Sequence, residues 1–296
     1  MSITSQVMIL FTVVLVGALC RKAGFLNNET IRGVTGMVVN ITVPCLMVSN
    51  MQRPFDMTVL RNFLITLALS AAVILFSIGL GLVLFKNRPH SKRAVLANLL
   101  GFSNAGFMGY PIILAINPDW MIYAVAYNVS FTFITWTLGV SLFQGRQNVS
   151  LRRVLLNPNV IATAIGFTFF CASFTLPHVP GEVLSMLGGL TTPLTMLLIG
   201  TRMIGLRLKD FTDADYHLSA FLRLIALPLL VYALLRPLPL DPAVFRTMFL
   251  LTAMPAATMT AMQAELYGGD AVFASRAIAY STLLSLATVP LIGMLM

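Results

Sequence analysis

Charged residues are scarce in this sequence, making up 10% of its 296 residues, against roughly 25% in soluble globular domains. So little charge cannot cover a surface against water, which excludes a soluble enzyme. Cysteine is scarcer still. Cys20, Cys45 and Cys171 lie in or at the ends of apolar segments, and no CxxC occurs. Neither a disulfide framework nor a metal site is expected. No basic residue precedes Arg21, so the first segment lacks the basic n-region of a cleavable signal and counts as a span.

Ionisable groups are also missing from the middles of the apolar runs. All ten acidic residues fall at segment ends or in loops, and His90, His178 and His217 are read as loop residues. Intramembrane ionisable residues usually mark proton or ion relays. Their absence predicts a protein that works through neutral polar groups and backbone dipoles, with no catalytic residue and no cofactor. An embedded enzyme would need a nucleophile, metal ligands or an acid–base pair at membrane depth.

What the chain does have is apolar length. Hydrophobic residues make up 58% of it and the mean hydropathy is +0.88. Apolar runs fall near 6–20, 33–50, 62–85, 95–116, 120–143, 158–176, 183–201, 218–235, 244–263 and 271–295. Crossing the hydrocarbon layer takes about 20 residues of helix. The expectation is an all-α polytopic membrane protein with ten transmembrane helices, the first starting at Ile3 or running on to Phe25. The net charge of +9 then reflects topology and not nucleic-acid binding. With the N-terminus outside, fifteen of the nineteen Lys and Arg residues lie in inner breaks, Arg146, Arg207, Lys209 and Arg223 among them. Arg53, Arg61, Arg236 and Arg246 remain outside. The positive-inside rule therefore places both termini on the outer, periplasmic side. The run Lys209 to Asp215 reads as a solvated loop.

The halves 1–145 and 150–296 show weak self-similarity. Arg93 and Arg246 open the fourth and ninth runs 153 residues apart, and Ala124-x-Ala126-Tyr127 recurs at that offset as Ala277-x-Ala279-Tyr280. Thr42-Val43-Pro44 resembles Thr191-Thr192-Pro193 at an offset of 149. Identities between alanine-rich helices also arise by chance. Five spans per half is an odd number, however, so the second half must enter from the opposite side. That is the inverted-topology repeat of many secondary transporters.

Within the fourth run, GFSNAGFMGYPI (101–112) is polar and glycine-rich, and the 153-residue offset sets it against Met254-Pro255-Ala256-Ala257 in the ninth. Proline removes a helical hydrogen bond, and freed backbone is tolerated at membrane depth only inside protein or beside a wet cavity. Small residues and prolines also serve plain helix packing or kinking, the reading given to Pro44 and Pro193. Two polar breaks at matching positions favour a site. Each broken helix would turn a positive N-terminal end toward an anion such as a carboxylate. The candidate substrate-binding residues are Ser103, Asn104, Ala105, Gly106, Asn128, Met254, Pro255, Ala256, Ala257, Thr258 and Ser281, with Thr260 as a further neutral group. Ser103, Asn104 and Gln263 are candidates for neutral sodium ligands.

Asn104-Ala105-Gly106-Phe107-Met108-Gly109-Tyr110-Pro111, with Met254 to Thr258, Glu265-Leu266-Tyr267-Gly268-Gly269-Asp270 and Ser281-Thr282-Leu283-Leu284, resembles the bacterial members of the auxin efflux carrier family. The resemblance implies a five-plus-five inverted-repeat fold shared with bile acid:sodium symporters, in which broken helices 4 and 9 cross at the substrate. It implies a scaffold from 1–50 and 158–201, often dimeric, and a transport domain from 62–143 and 218–296 that moves as an elevator. Asn104, Gly106, Pro255 and Ala256 would lie at the crossover. The long central loop of the plant carriers is absent, and Ser103-Asn104 replaces proline at the fourth-span break. The expected function is secondary active transport of a small organic anion, a carboxylate, across the bacterial inner membrane by alternating access. The partners are that anion, the bilayer and a second copy, with a proton or sodium as coupling ion. The alternatives are a sodium-coupled symporter of organic acids and, in another class, a membrane-embedded sensor or enzyme.

Overall fold

The computed structural model describes residues 3–144, 151–204 and 212–295. Arg146, Arg207, Lys209 and Asp210 from the charge reading, and the junction of the two halves at 145–150, lie outside the described residues. Among the described residues the chain is all helix, with one isolated β-bridge and no strand.

The helices are α1 (Ile3–Lys22), α2 (Asn28–Met51) and α3 (Met57–Leu84). The fourth run divides into α4 (His90–Gly101) and α5 (Ala105–Ile116). Next come α6 (Pro118–Gln144), the short α7 (Leu151–Leu155), α8 (Pro158–Cys171), α9 (His178–Arg202) and α10 (Ala214–Leu235). The ninth run divides into α11 (Pro242–Ala253) and α12 (Met259–Tyr267), and α13 (Ala271–Gly293) closes the chain. Six helices, α2, α3, α6, α9, α10 and α13, are long and apolar enough to cross a bilayer. The protein is a polytopic membrane protein. The fourth and ninth runs fall short of that length because each stops being helical for a few residues in its middle.

Several boundaries differ from the sequence reading. The first helix does begin at Ile3. The sixth run ends at Cys171 and not 176, because Ser173 takes a left-handed conformation at φ 52°. That turn lets the Ser173 hydroxyl accept the Phe55 N–H at 2.9 Å. The histidines are not loop residues: His90 and His178 open helices, and His217 lies in the first turn of α10, bonded to the Tyr280 hydroxyl at 2.8 Å. The expected solvated loop ending at Asp215 is also corrected. Asp213 is the N-cap of α10, and the buried Asp215 meets Arg88 and Lys92, each at 2.8 Å.

The chain forms two compact units. The first comprises Met1–Leu67, Gly106–Val129 and Arg152–Ile204. Within it α1 and α9 approach at glycines: a Cβ on Gly17 would stand 2.2 Å from the Leu197 carbonyl oxygen, and one on Gly200 2.0 Å from that of Val14. Small residues at such contacts let helix backbones meet where lipid removes the hydrophobic drive to associate. Thr191 donates its hydroxyl to that of Thr42 at 3.0 Å.

The second unit comprises Ala68–Ala105, Ser130–Leu151 and Gly205–Met296. Its core gathers Leu96, Leu99 and Leu100 of α4, Val140 and Phe143 of α6, and Ala256, Ala264, Phe273 and Ala277 of the ninth and tenth runs.

Candidate functional site

Both helical breaks open on an extended residue. Phe102, after α4, has φ −104° and ψ 112°, and Met254, after α11, has φ −67° and ψ 149°. The extended segments lie antiparallel, with Ser103 bridged to Ala256. The Asn104 N–H donates to the Pro255 carbonyl at 2.7 Å, and the Ala257 N–H donates to the Phe102 carbonyl at 2.8 Å. The two bonds have the same form: adding 153 to Asn104 and Phe102 gives Ala257 and Pro255. Each break thus satisfies backbone groups that its own helix has abandoned, as apolar surroundings require.

Side chains hold this pairing. The Phe102 ring is fully buried and meets Phe131 edge-on at 5.4 Å. A Cβ on Gly139 would come within 3.0 Å of the same ring. Ser281 accepts the Ala256 N–H at 3.3 Å. Of the eleven sequence candidates, Ser103, Asn104, Ala105, Met254, Pro255, Ala256, Ala257, Thr258 and Ser281 lie in this second unit, all buried except the half-buried Thr258. Gly106 and Asn128 belong to the first unit. There a Cβ on Gly106 would meet nothing nearer than the Asn128 amide nitrogen at 4.0 Å, so packing does not explain the glycine.

The sodium candidate Gln263 is fully buried, and its amide donates to the Thr135 carbonyl at 2.8 Å. Its Oε1 and the hydroxyls of Thr135 and Thr260 are buried without a hydrogen-bond partner. No group of His, Cys, Asp and Glu suited to a metal occurs among the described residues.

Sequence reasoning missed Arg223. It was counted in an inner break, but it lies nine residues into α10, in the π turn Leu222–Ala226. Nine residues of helix rise on the order of 14 Å, about half the ~30 Å hydrocarbon thickness. The side chain is 2% exposed. Its Nη1 donates to the Leu100 carbonyl at 2.6 Å, its Nη2 to Thr252 at 2.9 Å and its Nε to Met254 at 3.1 Å. Leu100 and Thr252 sit in the last turns of α4 and α11, where carbonyls lack helical partners and the helix dipole is negative. One guanidinium therefore caps both helix ends at the paired break. Its one trace in the sequence is that Arg223 is the single charged residue between Leu218 and Leu235, and counting basic residues toward loops passes over it.

Apolar helical spans define a polytopic membrane protein, and comparison with known proteins supplies its class. A family model described as membrane transport protein matches residues 2–152 and 147–293. The chain belongs to that family, the auxin efflux carriers. It is 25% identical over 298 residues to an uncharacterized transporter of Methanothermobacter thermautotrophicus, covering 98% of this chain and 97% of the relative. It is 24% identical over 303 residues to a Rhizobium meliloti protein named "Putative malonate transporter", covering 97% and 93%. These are transporters by name, and the chain is a transporter and not an enzyme.

Proposed function

We propose that this protein is a secondary carrier of a small organic anion, a carboxylate, bound at the paired break in the second unit. The observation that carries this reading is the exchange of hydrogen bonds between Phe102–Asn104 and Pro255–Ala257. Residues at one constant offset form it, as an inverted repeat with crossing fourth and ninth helices requires. The arginine neutralises the negative helix ends there, which favours an anion for the remaining positive field. The name of the Rhizobium meliloti relative makes malonate the first carboxylate to test.

In this reading ten spans form a five-plus-five inverted repeat in the bacterial inner membrane, with both termini periplasmic. Segments 1–50 and 158–201 act as a dimeric scaffold, and 62–143 with 218–296 move as the transport domain by elevator-type alternating access. Sodium-coupled symport has one observation in its favour, the unpartnered oxygens of Gln263, Thr135 and Thr260, which are sodium-ligand chemistry.

The test is labelled malonate uptake into proteoliposomes, with and without sodium at fixed membrane potential. Uptake by the wild type and its loss in Asn104→Ala are expected. Wild-type flux from both Asn104→Ala and Pro255→Ala would remove the break from the substrate path.

A further inference from the structure

We propose that Arg223 is a fixed cation standing where a metal ion would otherwise be needed, so that anion binding at the paired break requires no sodium. This rests on the reading of the break as the substrate site. Three backbone carbonyls, Leu100, Thr252 and Met254, from two separate segments face one guanidinium, each accepting from a different nitrogen. Backbone carbonyl oxygens are among the ligands of hard cations, and two of these carry the negative end of a helix dipole as well. Leaving them unmatched is costly. In this chain the matching charge is covalent and permanent, because a guanidinium does not deprotonate in proteins.

The geometry also explains why arginine serves here. The planar fork reaches three acceptors on two segments at 2.6, 2.9 and 3.1 Å. A lysine ammonium is a compact point charge without that spread. The guanidinium stays protonated, so the break keeps a fixed positive group beside any carboxylate bound there. Removing the side chain leaves the three carbonyls as an empty seat that a free cation can occupy.

The experiment uses purified full-length protein, calorimetric titration with malonate, and melting curves. Wild-type affinity for malonate is expected to agree within about twofold between sodium chloride and N-methylglucamine chloride. A sodium requirement in the wild type overturns the proposal. Arg223→Ala is expected to bind about tenfold more weakly in N-methylglucamine and to recover when millimolar guanidinium or sodium is added. Full affinity without a cation, or no recovery with either one, also overturns it.

A further arm needs no substrate. The melting temperature of Arg223→Ala should rise with millimolar guanidinium relative to an equal concentration of urea, while that of the wild type does not. A flat response refutes the seat whatever malonate does. A rise together with no malonate binding by the wild type supports the seat and places the failure in the carboxylate reading. Arg223→Gln, closer in volume, carries the same arms if the alanine variant does not fold.

Discussion

Thr191 donates its side-chain hydroxyl to that of Thr42, 149 residues earlier in the chain, at 3.0 Å. Both are buried, and both open the Thr-x-Pro patterns that relate the second and seventh apolar runs. A buried hydroxyl pair contributes about 1 kcal/mol net, while a single orphaned partner costs roughly 1–3 kcal/mol. Thr191→Val should therefore lower stability by about 1 kcal/mol. The double variant with Thr42→Val should cost less than the sum of the two single changes. A double-mutant cycle on detergent-solubilised protein measures the coupling, and strict additivity would show that the hydroxyls do not interact.

The contact between α1 and α9 has no room for a side chain at Gly200, where a Cβ would stand 2.0 Å from the Val14 carbonyl oxygen. Overpacking against backbone cannot be relieved by a rotamer change and costs about 1–3 kcal/mol or more. Gly200→Ala should lower the melting temperature and the yield of folded protein. Gly36→Ala is the control, because nothing lies within 4 Å of its Cβ position. A helical glycine replaced by alanine at an open site gains roughly 0.5–1 kcal/mol. Equal melting temperatures for the two variants would contradict the close approach.

The break was legible in the sequence because lipid penalises polar, glycine-broken helix so heavily that Ser103, Asn104 and Pro255 stand out of their runs. The register was legible too, since the 153-residue offset pairs Ser103 with Ala256, the residues that bridge. Arg223 was not, because counting arginines toward loops assumes that each one reaches water, and this one is held by carbonyls 29, 31 and 123 residues away. Asp213 and Asp215 failed similarly. Their partners Lys92 and Arg88 lie 121 and 127 residues earlier, beyond any local pattern. Non-local pairing of single charges leaves no periodicity to read, whereas a broken helix does.

The Asp213 carboxylate gives a pH dependence. It accepts the Asp215 N–H at 2.9 Å and bonds the Lys92 ammonium. Burial disfavours its charge, but Lys92 and that amide outweigh burial and hold its carboxyl below the usual carboxylate range. A carboxyl lowered by folding stabilises at neutral pH and loses that contribution as the pH falls through its folded value. The melting temperature should therefore drop below roughly pH 4, and Asp213→Asn should flatten that limb. The carboxylate is partly exposed, so screening limits the effect to on the order of 1 kcal/mol or less. An acid limb unchanged in Asp213→Asn would show that the ion pair contributes nothing.

Ala257 tests the paired break through its backbone alone. Its N–H is the donor to the Phe102 carbonyl at 2.8 Å, and its methyl group is buried. Ala257→Pro deletes that N–H and leaves a buried carbonyl unmatched, a cost of roughly 1–3 kcal/mol. The partner bond from Asn104 to the Pro255 carbonyl is untouched in chemistry but loses its companion. The expected result is malonate uptake reduced by about tenfold or more, with membrane insertion retained because α11 and α12 keep their own helical bonds. Ala257→Gly separates the two contributions: it keeps the N–H, removes only the methyl and should retain most of the uptake. If glycine and proline at 257 reduce uptake equally, the methyl and not the hydrogen bond is what matters, and the exchange between the two breaks is incidental to transport.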